Sequence, residues 1–138
     1  MMITDTRSVS FSSVKENITL VGKYVDEICE FYNIGDENYG NILVAVTEAV
    51  SNAIYHGNRL NPEKAVHFRY ESKDNSLCFV VEDEGKGYNP ETLPDPTDPE
   101  NIETPNGRGV FLMRKLSDDI KFENNGTRVE LYFRIINQ

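Results

Sequence analysis

Apolar positions change period several times along the 138-residue chain, and each change predicts an element. Residues 8–11, SVSF, alternate polar and apolar, which predicts a short edge strand. Val14, Ile18, Val21, Val25, Ile28 and Phe31 or Tyr32 then recur every three or four residues, the spacing of an amphipathic helix. Gly35-Asp36 breaks that helix, and Asp36 suits the cap of a second one. The second helix includes NILVAVTEAVSNAIYHGN, residues 41–58. Ile42, Val46, Ala49 and Ala53 form its core stripe, and Gly57 marks its end. NRLNPEK reads as a turn. AVHFRYES and SLCFVVED read as strands joined through Lys73-Asp74-Asn75 in a hairpin. VFLMRKLSD predicts a short helix. IKFENNGTRVELYFRI predicts two strands around a turn at Asn124-Asn125-Gly126.

Helices and strands do not alternate one for one in this order, which argues against a doubly wound parallel sheet. The pattern predicts an α+β two-layer sandwich with a mixed, mostly antiparallel sheet and helices on one face. With no internal repeat or linker, residues 1–138 are expected to form a single domain. Residues 84–107 hold five of the six prolines. A connection of that length in a compact domain suits a lid or binding loop.

Composition narrows the partners. The formal net charge is −9. An acidic surface repels phosphate backbones, so no direct nucleic-acid partner is expected. A small anion is still compatible with a pocket lined by backbone N–H groups. No apolar run reaches membrane-spanning length, and the first residues lack a basic start followed by an apolar stretch, so the expectation is a cytoplasmic protein with no membrane partner. Cys29 and Cys78 are expected to be small core residues rather than a disulfide or metal pair.

Four short segments carry candidate chemistry. Glu48 and Asn52 lie one helical turn apart at the rim of the core stripe, beside Ala45, Ala49 and Ala53. A carboxylate and a carboxamide so placed suit an oxygen-ligated cation and a general base, although the same spacing also serves an ordinary solvated pair. His56 could simply meet the helix dipole at its C-terminal end. VVEDEGKGY brings a strand into Asp83, then Gly85 and Gly87. That order can press backbone against a flat ligand and offer Asp83 to an exocyclic amine, or it can be only a turn. In PNGRGVFLMRKL, Gly107 and Gly109 precede an apolar helix whose free N–H groups could seat phosphate. Arg108 could add a charge-assisted contact or point to solvent. Gly126-Thr127 alone is a hairpin turn.

Taken in order, EAVSNAIYHGN, DEGKG, GRGVFLM and GT resemble the ATP-binding domain of the GHKL superfamily, which includes type II topoisomerases, MutL proteins, chaperone ATPases and histidine kinases. The resemblance runs over nearly the whole chain, residues 8–135. Within the superfamily the chain is most similar to the anti-sigma-factor serine kinases (RsbW and SpoIIAB types). SSVKENITLVGKYVDEIC, VAVTEAVSNAIYHGN and GRGVFLMRKLSDDI carry that similarity. The resemblance implies ATP between the helices and a lid, with Glu48 as general base toward a protein serine hydroxyl and Asn52 as a Mg²⁺ ligand. It implies that Asp83 reads the adenine amino group, with Gly85 and Gly87 shaping that pocket. Gly107, Arg108 and Gly109 would lie at the phosphates, and Thr127 would support the adenine side. The implied partners are an anti-anti-sigma-like antagonist as substrate, a sigma factor as the sequestered protein, and a second copy in a homodimer.

The histidines argue against a histidine kinase. Only His56 and His67 are present, one in the nucleotide helix and one in a predicted strand, with no helical hairpin upstream. One departure bears on activity: the lid YNPETLPDPTDPENIETPN is acidic and has no Lys or Arg before Arg108. Two functions follow. The first is an ATP-dependent serine/threonine protein kinase of the anti-sigma type. The second is a non-catalytic, nucleotide-gated protein-binding module.

Overall fold

The computed structural model describes residues 5–86 and 105–135. Strand β1 (Asp5–Ser12) leads into helices α1 (Glu16–Phe31) and α2 (Asp36–Asn52). The hairpin β2 (Ala65–Lys73) and β3 (Ser76–Glu82) follows, then helix α3 (Pro105–Leu116) and the strands β4 (Asp119–Glu123) and β5 (Arg128–Arg134). The five strands form one sheet in the order β1-β2-β3-β5-β4, and every pairing is antiparallel. β5 pairs with both β3 and β4, so those two run in the same direction and α3 is the crossover between them.

Alternation sets the two faces of the sheet. Val66, Phe68 and Tyr70 of β2, Leu77, Phe79 and Val81 of β3, and Val129, Leu131 and Phe133 of β5 all turn inward and are buried. Helices α1, α2 and α3 cover that face with Val21, Val25, Ile42, Val46, Val50 and Met113, all fully buried. Phe79 is the centre of the core. Its ring lies 6.2 Å from Phe68 and 5.9 Å from Phe133. The outer face is polar: Arg128 bonds Glu130 at 3.0 Å and approaches Glu82 and Glu123 at 3.9 Å. The result is two layers, as the element order predicts.

The cap of α2 differs from the sequence expectation, the choice between Phe31 and Tyr32 is settled, and the cysteines meet the expectation in part. Gly35, in extended conformation, caps α2, and Asp36 is in the first turn with Glu37, where both face the positive end of the dipole. Phe31 is 72% exposed, and the half-buried Tyr32 takes the inward position, its hydroxyl 2.8 Å from Ser72. Cys29 is a buried core thiol, and burial pushes it up to about 11, whereas Cys78 is half-buried in a strand position on the outer face. Among the described residues no helix is long and apolar enough to cross a membrane.

Candidate functional site

The C-terminal end of α2 is where the sequence motifs converge. The stripe Ile42, Val46, Ala49 and Ala53 is buried, as its period predicts. Glu48 is half-exposed at the edge of that stripe. Asn52, one turn later, is 8% exposed, and its Nδ2 has no hydrogen-bond partner among the described residues. A buried donor without a partner costs about 1–3 kcal/mol, a cost that a ligand acceptor or an ordered water would remove. After Asn52 the helix widens into a π-type turn, Ala53–Gly57, a feature common near functional sites. His56 lies in this turn, where burial holds its imidazole below the ordinary value and so favours the neutral form.

Strand β3 delivers Asp83 to the same end. The Asp83 N–H donates to the Thr127 carbonyl at 2.9 Å, which ties the end of β3 to the start of β5. Oδ1 of Asp83 accepts the Gly85 N–H at 2.7 Å, so the side chain closes a tight turn on its own backbone. Burial raises the Asp83 carboxyl above its ordinary range, while the Gly85 N–H pulls it back part of the way. A Cβ at Gly57 would fall on the Asp83 carboxylate, and a Cβ at Gly85 would fall on the Gly57 carbonyl. The two glycines therefore allow the α2 end and the β3 end to touch backbone to backbone.

Asn52, Asp83, Gly126 and Thr127 line one cleft, with Ala49, Ala53 and Met113 at its base. Thr127 follows the turn Asn124–Gly126, whose three residues all have positive φ, and its hydroxyl donates to the Asn124 carbonyl at 2.8 Å. The cleft is narrow, about 10 Å³, and two wider grooves of about 320 and 420 Å³ lie elsewhere, between α1 and β1 and on the outer sheet face. Neither groove contains any residue of the four motifs.

Helix α3 starts earlier than the sequence pattern predicts. Pro105 is its first residue, and Gly107, Arg108 and Gly109 lie within the helix rather than ahead of it. The Gly109 N–H therefore falls within the i→i−4 ladder, and the free amides are further toward the start. Gly109 is buried, and a Cβ there would lie 2.9 Å from Asn52 Nδ2. The missing side chain thus lets α3 close directly onto the α2 carboxamide. The Arg108 side chain, Gly87 and lid residues 87–104 lie outside the described residues.

The sequence reading passed over Asn58 and read Gly57 only as a helix stop. Asn58 is 1% exposed and fully bonded, with its Oδ1 accepting the Glu84 N–H at 2.8 Å. Its only signal was a polar side chain directly after a helix-ending glycine.

An acceptor atom of a bound ligand would satisfy the Asn52 donor, and Oδ2 of Asp83 could receive an amine. The cleft offers a buried donor unpartnered among the described residues and a carboxylate, beside glycine approaches that any side chain would fill. The layers are an antiparallel sheet and one helical layer, with the cleft where they join. A family profile described as "Histidine kinase-like ATPase domain" matches residues 11–133, and the chain belongs to that family. The serine-protein kinase RsbW of Oceanobacillus iheyensis is 28% identical over 94 residues, 64% of this chain and 60% of that protein. The anti-sigma F factor of Shouchella clausii is 28% identical over 118 residues, 83% of this chain and 80% of that protein. Among solved structures, the RsbU and RsbW domains of Rv1364c from Mycobacterium tuberculosis superpose with a TM-score of 0.68 at 13% identity, covering 94% of this chain and 32% of that one. That likeness shows the fold alone. The chain thus spans about 60% of the RsbW relative's length and a third of the mycobacterial protein.

Proposed function

We propose that this protein is an ATP-dependent serine/threonine protein kinase of the anti-sigma type, which phosphorylates an antagonist protein and sequesters a sigma factor. One observation carries the reading: Asn52, buried and with its Nδ2 donor unpartnered among the described residues, shares a cleft with Asp83 and Thr127 while Glu48 stands one turn away, half-exposed. The similarity to proteins named serine-protein kinase and anti-sigma F factor supports it.

Bound ATP would supply the phosphoryl group, and Mg²⁺ would neutralise its developing charge. Asn52 would hold the metal through its carboxamide oxygen. Asp83 would accept a hydrogen bond from the adenine amino group through Oδ2, since Oδ1 is engaged by Gly85. Gly57 and Gly85 would keep side chains out of the ring's path. Gly87 would extend that wall, and Thr127 would support the adenine side. The free amides at the start of α3, around Gly107, would face phosphate, with Arg108 beside them. Glu48 would accept the proton of the incoming serine hydroxyl, a role that requires the water-accessible rim where it stands.

Phosphoryl transfer from γ-labelled ATP to a serine of an anti-anti-sigma-like antagonist protein tests the reading. Glu48→Ala is expected to lower transfer by about 10²–10⁴-fold with ATP affinity nearly unchanged. Equal loss of binding and transfer would make Glu48 structural. Tight ATP binding with no transfer to any serine would favour the nucleotide-gated binding module, the reading the acidic lid brings forward.

A further inference from the structure

Asn58 is the most completely bonded buried polar side chain near the cleft, yet it does not line the cleft. Its Nδ2 donates to Ser13 Oγ at 2.7 Å and to the Ala65 carbonyl at 2.9 Å. Ser13, itself fully buried, donates to the Lys64 carbonyl at 2.6 Å. Two bonds thus fix the carboxamide from the β1–α1 junction and from the start of β2. The remaining atom, Oδ1, accepts the backbone N–H of Glu84. Glu84 lies between Asp83 and Gly85, the two residues joined by the tight turn. Its side chain is anchored as well: Oε1 accepts the Ala65 N–H at 3.0 Å, and Oε2 is 3.1 Å from His67 Nε2.

We infer that Asn58 is the positioning residue for Asp83, holding the Glu84 amide so that the Asp83 carboxylate lies against Gly57 and keeps Oδ2 aimed at the exocyclic amine of adenine. The inference rests on the proposed adenine role of Asp83. Three elements far apart in sequence send a hydrogen bond to this carboxamide or receive one from it, and its one acceptor atom is committed to the loop that carries the base-reading carboxylate. A residue kept only for stability has no need to meet that loop. Asn58 therefore sets base specificity without touching the base.

The test is a binding comparison on the full-length chain. The probes are ATP and purine riboside 5′-triphosphate, which differs from ATP by lacking the exocyclic amine. The wild-type protein is expected to prefer ATP by about tenfold or more, the value of one charge-assisted hydrogen bond in a buried site. Asp83→Asn should collapse that preference. Asn58→Ala should do the same, by weakening ATP while leaving the analogue nearly unchanged. A purely structural role would weaken both probes alike, so the ratio separates the two. Asn58→Ser leaves a hydroxyl for Ser13 or Ala65 but is one bond too short for the Glu84 amide. It should also lose the preference, and it serves if the alanine variant does not fold. Asn58→Asp keeps an acceptor for that amide and should retain the preference despite a lower melting temperature.

An unchanged ratio in the folded Ala or Ser variant, with collapse in Asp83→Asn, would overturn the positioning role and leave the adenine reading standing. An unchanged ratio in Asp83→Asn as well would overturn the adenine reading, and this inference with it.

Discussion

At the residue scale, Asp83 shows how a binding group can work against the free protein. Its carboxyl is raised above the ordinary 3.8, chiefly by burial. The folded protein therefore keeps the proton to a higher pH than the unfolded chain does. Stability falls as pH rises from the unfolded value through the raised one, and the penalty is complete above the raised one. Asp83→Asn removes the charge while leaving an oxygen for the Gly85 N–H. It is expected to raise the melting temperature at pH 7, and the gain should vanish on acidification below the ordinary carboxylate value. A melting temperature unchanged at pH 7 would show that the carboxylate is not under strain. The neighbouring Asn52 carries a penalty of a second kind, a buried donor with no partner among the described residues. The proposed nucleotide site accounts for two such groups beside one cleft.

At the element scale, α2 and α3 meet through a position without a side chain. Gly109 lies in the interior of α3, where alanine is the better helix former by about 1 kcal/mol. An added Cβ would stand 2.9 Å from Asn52 Nδ2 and 3.0 Å from Oδ1, at the end of a side chain whose Nδ2 has no bond to lose among the described residues. Gly109→Ala is therefore expected to hold or slightly raise the melting temperature while lowering Mg²⁺-dependent phosphoryl transfer roughly tenfold or more. Parallel thermal melts and transfer assays check this, and full activity in a folded variant would contradict it. This scale also shows what the sequence could disclose. The stripe of α2 and the alternation of β2, β3 and β5 were legible because burial imposes one period on each element. The turn at residues 124–126 was legible because Asn and Gly tolerate positive φ. The start of α3 was not: Asn-Gly-Arg-Gly has poor helix propensity, and packing on α2 overrides it. Nor was Asn58, whose partners Ser13 and Glu84 lie 45 and 26 residues away in sequence. A single polar residue has no period, so only the folded chain displays its role.

At the scale of the whole molecule, the two layers leave one sheet face open and polar, and the chain carries a net charge of −9. Negative charge of that size favours encounter with a basic surface. If the sequestered partner is basic where it docks, association should accelerate on the order of tenfold as salt is lowered from high to low ionic strength. Stopped-flow mixing would measure it, and a salt-independent rate would remove charge from the recognition. The same layers set the cleft at one end of α2, where three segments distant in sequence close on Asn52 and Asp83. We propose that this cleft holds an adenine nucleotide. Calorimetric titration of Mg²⁺-ATP into the wild-type protein and into Asp83→Asn tests it most directly. The account predicts saturable binding to the wild type and an affinity about tenfold or more weaker in the variant. No binding by the folded wild type, or equal affinity in the two, would contradict it.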